Sequence, residues 1–193
     1  MSTKQVYANN FGKEISENQV NKSGDYLLKF YNEDKLIKIQ QYLKGVLEGT
    51  SYNLNSNDDI QSILTLDPNC SFQIESQQGN YKLYECISYE NKVMVDRQVF
   101  VEPRLLNKTI CRHVYNIATN TVKHVHTIKI YYDVNGKDLY EFEYNDQGEC
   151  VYVNNLQEYQ ANFYAANIGI DPDLDFTWQG FEYYQFSEPL IPV

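Results

Sequence analysis

The stretch YYDVNGKDLYEFEYNDQG, residues 131–148, contains two turn signals and the strand that separates them. Gly136 and Gly148 each end a Tyr-(Asp/Asn)-x-x-Gly unit, and glycine readily adopts the positive φ of a hairpin loop. Three rings alternate with two carboxylates between these glycines, at Tyr140, Glu141, Phe142, Glu143 and Tyr144. Because successive strand residues face opposite sides, this pattern predicts a one-sided strand with rings inward and carboxylates outward.

Strand-like alternation extends from this stretch toward the N-terminus. Short junctions separate the runs between residues 70 and 153, which predicts a main antiparallel sheet over 70–153. An earlier hairpin is predicted over 25–45, around the turn-forming cluster Asn32-Glu33-Asp34-Lys35. Residues 49–59 read as a loop, and a short helical turn is predicted at Ile60–Leu66, where Asp67-Pro68 stops it.

The C-terminal part predicts one helix and a final wrap. A stripe at helical spacing indicates a helix over 155–168, formed by Leu156, Tyr159, Phe163 and Ala166. Residues 170–193 are rich in rings and predict an extended wrap on the surface. The expected fold class is mainly β (α+β): an antiparallel β-meander forming a curved sheet or an open barrel, with one C-terminal helix and few short helices. A length of 193 residues suits a single domain, 1–193.

The negative charge of the chain is concentrated in its last third. Residues 1–132 contain 15 Lys/Arg and 14 Asp/Glu, whereas residues 133–193 contain one Lys and 12 Asp/Glu. This asymmetry argues against nucleic acid or an anionic membrane as the partner of that third and favours a basic protein or a cation. A solvated acidic surface is the alternative.

Composition also bears on location. The N-terminal ten residues have no apolar signal segment, and no run is long enough to span a membrane. The four cysteines are widely spaced without a CxxC pair, which indicates reduced thiols in a cytoplasmic protein. No cofactor is expected. No phosphate-binding glycine loop, HExxH or GxSxG motif is present, so an enzyme is not expected.

Two constellations could bind a metal. On a strand over 121–132, His124 and His126 would share one face, and Cys111 or a carboxylate could complete a site. This face is the basis of an alternative hypothesis, a small-ligand or metal-dependent enzyme. The segment from Asp171 to Glu182 resembles the ligand spacing of an EF-hand calcium loop, although Phe176 occupies the position where that family needs glycine.

A third pair, Cys111 and His113, would also share a strand face. A catalytic cysteine requires a base, an oriented third group and usually a helix N-terminus, and the sequence marks none of these around Cys111. A core thiol is therefore the favoured interpretation.

The acidic and aromatic residues of the last third suit a protein interface, because rings dominate interface cores and acids attract a basic partner. The alternative is that the rings form the core of the final layer. The predicted partner-binding residues lie on the one-sided strand and in the wrap: Glu141, Glu143, Asp171, Asp173, Asp175, Trp178, Glu182, Tyr183 and Tyr184.

The tandem hairpins Tyr132–Gly136 and Tyr144–Gly148 resemble bacterial MORN-like and Rhs-like hairpin repeats, and Tyr31–Lys35 is a version that lacks the glycine. Small acidic proteins of this kind resemble the immunity proteins of bacterial polymorphic toxins. The resemblance implies a cytoplasmic immunity or antitoxin-type protein that binds and occludes a basic toxin effector. Arg97 and Lys129 have no role in this hypothesis. A non-catalytic structural module is a further alternative.

Overall fold

The computed structural model describes residues 3–55, 60–157 and 161–192. Within these ranges twelve strands form one sheet, and the order of the strands in the sheet follows their order in the chain. The strands are β1 (Thr3–Ala8), β2 (Tyr26–Asn32), β3 (Lys35–Leu43), β4 (Val46–Leu54), β5 (Cys70–Gln78), β6 (Tyr81–Glu90), β7 (Val93–Pro103), β8 (Cys111–Val114), β9 (Ile128–Tyr132), β10 (Asp138–Tyr144), β11 (Cys150–Asn155) and β12 (Phe163–Tyr164). The fold is mainly β with a sequential strand order, as predicted.

Helices are few and short in the described residues. The α-helices are α1 (Glu17–Ser23) and α2 (Ile60–Leu66), and three-residue 3-10 helices lie at His124–His126, Ala165–Asn167 and Glu182–Tyr184. No helix in these ranges is both long and apolar enough to cross a membrane.

The chain groups into two compact units. The N-terminal unit is Met1–Glu75 with Glu85–Asp96, and the C-terminal unit is Ser76–Tyr84 with Arg97–Val193. Strands β5, β6 and β7 each contribute residues to both units.

In the N-terminal unit, β2 and β3 form the predicted hairpin, with Glu33 and Asp34 at positive φ in its turn. Helix α2 has the predicted bounds and lies between β4 and β5, which pair in parallel because the helical crossover returns the chain in the same direction. The predicted loop is wrong over 49–54, which belong to β4 and pair with strands on both sides; residues 56–59 lie outside the described ranges.

In the C-terminal unit, antiparallel pairs join β7 to β12 in turn. The buried side chains Phe142, Tyr144, Val153 and Phe176 form its largest core cluster. The wrap supplies part of this cluster through rings that pack against Phe142. Rings of the wrap therefore cover the inner face of β10 within this unit.

The predicted helix over 155–168 is wrong in the described residues. Asn155 ends β11, Phe163 and Tyr164 form β12, and only Ala165–Asn167 makes a single 3-10 turn. The reason is a tertiary contact: Phe163 pairs with Val153 and packs its ring 5.1 Å from that of Phe176. Residues 158–160 lie outside the described ranges.

Candidate functional site

Strand β10 has two chemically different faces. Phe142 and Tyr144 are buried on the inner face, whereas Glu143 is exposed and Glu141 is half-buried on the other. The predicted separation of rings and carboxylates is thus present. We call the outward group Glu141, Glu143, Tyr152, Asn154 and Tyr164 the acidic face.

The two carboxylates of the acidic face are held by a neutral partner. Asn154 lies opposite Glu141 on β11, and its Nδ2 donates hydrogen bonds to Glu143 (2.6 Å) and Glu141 (3.4 Å). An amide orients the carboxylates without neutralising them. Two negative charges therefore stand side by side in fixed positions.

Aromatic residues continue the acidic face toward the edge of the sheet. Tyr152 lies opposite Glu143, and Tyr164 lies opposite Tyr152. The two rings are in edge contact with centroids 5.2 Å apart, and Tyr164 is 65% exposed. One carboxylate and two tyrosine rings thus lie in a row across three neighbouring strands.

The acidic residues predicted in the wrap are exposed: Asp171, Asp173, Asp175 and Glu182. Two of them accept local hydrogen bonds, Asp171 from the Asp173 N–H and Glu182 from the Gly180 N–H. The latter bond lowers the pKa of the Glu182 carboxyl. A calcium loop is not formed, because Phe176 is buried in the core; no group of three potential metal ligands occurs in the described ranges.

The aromatic residues predicted to contact a partner lie mainly in the core. Tyr184 stacks on Phe142 with ring centroids 4.6 Å apart, and Trp178 packs edge-on against Phe176 at 5.7 Å. The Tyr183 hydroxyl donates to the Leu190 carbonyl at 2.8 Å. These rings hold the wrap against the sheet, which was the alternative interpretation of the sequence.

The predicted histidine face is not formed. His124 and His126 lie in a 3-10 turn rather than a strand, so they do not point the same way along a sheet. His124 Nδ1 is hydrogen-bonded to Ser187 Oγ at 2.7 Å, so this imidazole is bound to the wrap. The enzyme hypothesis loses the geometry on which it depended.

Cys111 and His113 do share the inner face of β8, and both are buried. Burial raises the pKa of the Cys111 thiol to about 11 and lowers that of His113, whose Nε2 donates to the Ser187 carbonyl at 2.8 Å. A protonated thiol beside an imidazole that is hydrogen-bonded to a backbone carbonyl is not an activated nucleophile. The pair has a packing role.

Lys129 has no role predicted from the sequence, yet its buried side chain joins β9 to the wrap. Its side chain is fully buried, and its Nζ donates to the carbonyls of Tyr183 (2.8 Å), Phe186 (2.8 Å) and Pro189 (3.0 Å). Burial lowers its pKa to about 8. Lys129 lies two residues before Tyr131 and therefore on the same, inner face of β9. This spacing was the sequence signal that could have indicated its burial.

A groove lies beside the bulged start of β11, with a volume of about 670 Å³. Tyr164, Trp178 and Phe186 line it, together with Glu149 and Asn145. The groove was not predicted, because its walls come from three separate segments. It opens at the same sheet edge that carries Tyr164 of the acidic face.

No protein-family model and no curated protein matches the chain. Among solved structures, it is similar to a mutant of S. aureus TarM in complex with Fondaparinux, alpha-GlcNAc-glycerol and UDP, at 12% identity and a TM-score of 0.30. The match covers 78% of this chain and 20% of that one. A TM-score of this size carries no argument about fold or function.

Proposed function

We propose that this chain is a non-catalytic, cytoplasmic immunity or antitoxin-type protein that binds and occludes a basic toxin effector. One observation carries the proposal: Glu141 and Glu143 are directed outward, side by side, and held by the neutral amide of Asn154. Carboxylates that a neutral amide holds in fixed positions attract a cationic surface and lose little conformational freedom on binding it.

The packing behind the acidic face supports the same function. Phe142, which lies between Glu141 and Glu143 in the sequence, is fully buried. Its ring stacks with that of Tyr184. A strand backed by such a cluster presents its outward side chains on a rigid element, which favours binding without rearrangement. The exposed ring of Tyr164 adds an aromatic contact beside the charges.

The wrap extends the acidic surface. Its carboxylates at Asp171, Asp173, Asp175 and Glu182 are exposed, while four of its rings pack in the core cluster: Phe176, Trp178, Phe181 and Tyr184. We therefore assign these carboxylates to long-range attraction of the partner. Trp178, Tyr183 and Tyr184 have the indirect role of holding the wrap in place.

The test first asks whether the adjacent gene encodes a large secreted protein with a variable C-terminal end, and it uses that purified end as the partner. The variant E141K/E143K should weaken its binding at least about 30-fold, because each reversal exchanges an attraction for a repulsion, at a cost of about 1 kcal/mol or more. A matched reversal at two exposed glutamates of the N-terminal unit, E33K/E48K, should change the affinity less than about threefold. Calorimetry gives both values.

Co-expression supplies the functional readout. The wild-type chain should restore growth to cells that produce the toxin, and E141K/E143K should not. Unchanged affinity of E141K/E143K would contradict the proposed surface. Tight binding without inhibition would contradict occlusion and favour a structural module instead.

A further inference from the structure

The groove beside β11 contains a cluster of exposed apolar side chains within the C-terminal unit. Tyr164 is 65% exposed, Phe186 is 51% exposed and Val151 is 40% exposed, and all three line the groove. Trp178 lines it as well, with its ring fixed against Phe176 in the core cluster. Grouped exposed rings of this kind mark binding surfaces more often than single exposed residues do.

The polar groups of the groove are pre-oriented. Asn145 accepts hydrogen bonds through Oδ1 from the N–H groups of Gln147 (3.0 Å) and Glu149 (2.9 Å). Its Nδ2 therefore has a fixed direction, and it donates to the Glu149 carboxylate at 3.1 Å. The hydrogen-bond partner of this carboxylate is thus a neutral amide.

The chemistry of the groove selects for a cation with a flat apolar surface. The described lining residues include a carboxylate, side-chain amides and three rings, but no lysine or arginine. A guanidinium stacks on aromatic faces and donates in a fork to a carboxylate, whereas an ammonium is a compact, strongly hydrated charge. The volume of about 670 Å³ has room for a side chain together with its flanking residues.

We propose that this groove receives an arginine at the tip of a loop of the basic partner, with the guanidinium stacked on Tyr164 and Phe186 and paired with Glu149. The inference rests on the proposed function and deepens it, because it assigns the partner a specific anchoring residue. The acidic face then supplies attraction, and the groove supplies recognition.

The chain contains a single tryptophan, so Trp178 fluorescence reports on the groove directly. The probes are acetyl-Gly-Arg-Gly-amide and the same peptide with citrulline, which keeps the shape of arginine and loses its charge. We expect saturable binding of the arginine peptide below about 10 mM, at least about tenfold tighter than that of the citrulline peptide. Equal affinity for the two peptides, or the absence of saturation, would overturn the inference.

Two substitutions link the signal to the named residues. Glu149→Gln and Tyr164→Ala should each weaken binding of the arginine peptide about tenfold. Asp146→Asn removes an exposed carboxylate of the same hairpin loop that does not line the groove, and Phe11→Ala removes a ring that is 95% exposed elsewhere. Both controls should leave the peptide affinity within about twofold. Loss of binding in the controls, or retention in Glu149→Gln, would count against the groove.

The two proposals fail separately. E141K/E143K should retain the arginine peptide, because neither glutamate lines the groove. If Glu149→Gln and Tyr164→Ala bind the basic partner as tightly as wild type does, the groove inference is wrong while the acidic face stands. If the arginine peptide binds but E141K/E143K leaves partner affinity intact, the proposed function in this form is wrong.

Discussion

The ammonium of Lys129 lies against the ring of Tyr183, with Nζ 3.6 Å from the ring centroid. Lys129 lies on β9 and Tyr183 in the wrap, so this contact joins segments that are 54 residues apart. Three backbone carbonyls of the wrap complete the surroundings of the ammonium. The wrap is therefore held by the hydrogen bonds of the buried Lys129 amino group as well as by apolar packing.

Replacing Lys129 with Met should destabilise the protein. The substitution keeps an unbranched side chain but leaves the carbonyls of Tyr183, Phe186 and Pro189 without their donor. We expect the free energy of unfolding at pH 7 to fall by about 3 kcal/mol. Urea denaturation measures it, and Lys123→Met, at an exposed lysine, should change it by less than about 0.5 kcal/mol. Equal effects of the two substitutions would contradict this role.

The lowered pKa of Lys129 predicts a specific pH dependence. Its pKa is about 8 in the folded protein, against 10.5 for a fully hydrated lysine such as that of the unfolded chain. Between these values the unfolded chain binds the proton and the native protein does not, so the free energy of unfolding rises with pH. Subtracting the profile of Lys129→Met from that of wild type removes the shared Tyr and Cys titrations. This difference should increase by about 1 kcal/mol per pH unit over that range, and a flat difference would contradict the assignment.

Protonation of the buried His113 should destabilise the protein as the pH falls. Burial lowers its pKa below 6.5, with a further decrease from the charge of Lys129, while its hydrogen bond to Ser187 and the charge of Glu188 oppose the shift. The unfolded chain therefore takes up the proton first, and the free energy of unfolding decreases as the pH falls below about 6.5. His113→Gln removes this titration. Denaturation between about pH 7.5 and 5.5 should show a shallower profile for the variant than for wild type, and parallel profiles would exclude this cause.

Local signals were sufficient for part of the structure. The alternation around Phe142 predicted both faces of β10, and Asp67-Pro68 marked the end of α2. In both places the neighbours in sequence determine the conformation, and tertiary packing agrees with it.

Long-range contacts decided the parts that were predicted wrongly. The ring of Phe163 fits a helical stripe, but packing on Phe176 and pairing with Val153 place it in β12 instead. The residues around His124 alternate as in a strand. His124 nevertheless lies in a 3-10 turn, where its imidazole is hydrogen-bonded to Ser187. The role of Lys129 depends on carbonyls 54 to 60 residues away, which no local pattern encodes.

Gly148 and Gly180 form a matched pair for testing the contact between the second hairpin and the wrap. Both have a φ of +82°, but a Cβ on Gly148 would lie 2.7 Å from Ser187 Oγ, whereas a Cβ on Gly180 would meet nothing within 4 Å. Gly180→Ala should cost about 1 kcal/mol for the left-handed backbone alone. Gly148→Ala should cost about 3 kcal/mol, because Ser187 must also move. Thermal or urea denaturation compares them, and equal losses would show that the contact is unimportant.

The dependence of partner affinity on salt tests the central claim most directly. Calorimetry would follow the dissociation constant of the basic partner from about 50 to 300 mM salt for wild type and for E141Q/E143Q, which keeps the side-chain shapes and removes both charges. If the carboxylates held by Asn154 attract the partner, the wild-type constant should rise about tenfold or more over this range, and that of the variant clearly less. Identical salt dependence in the two proteins would contradict the account.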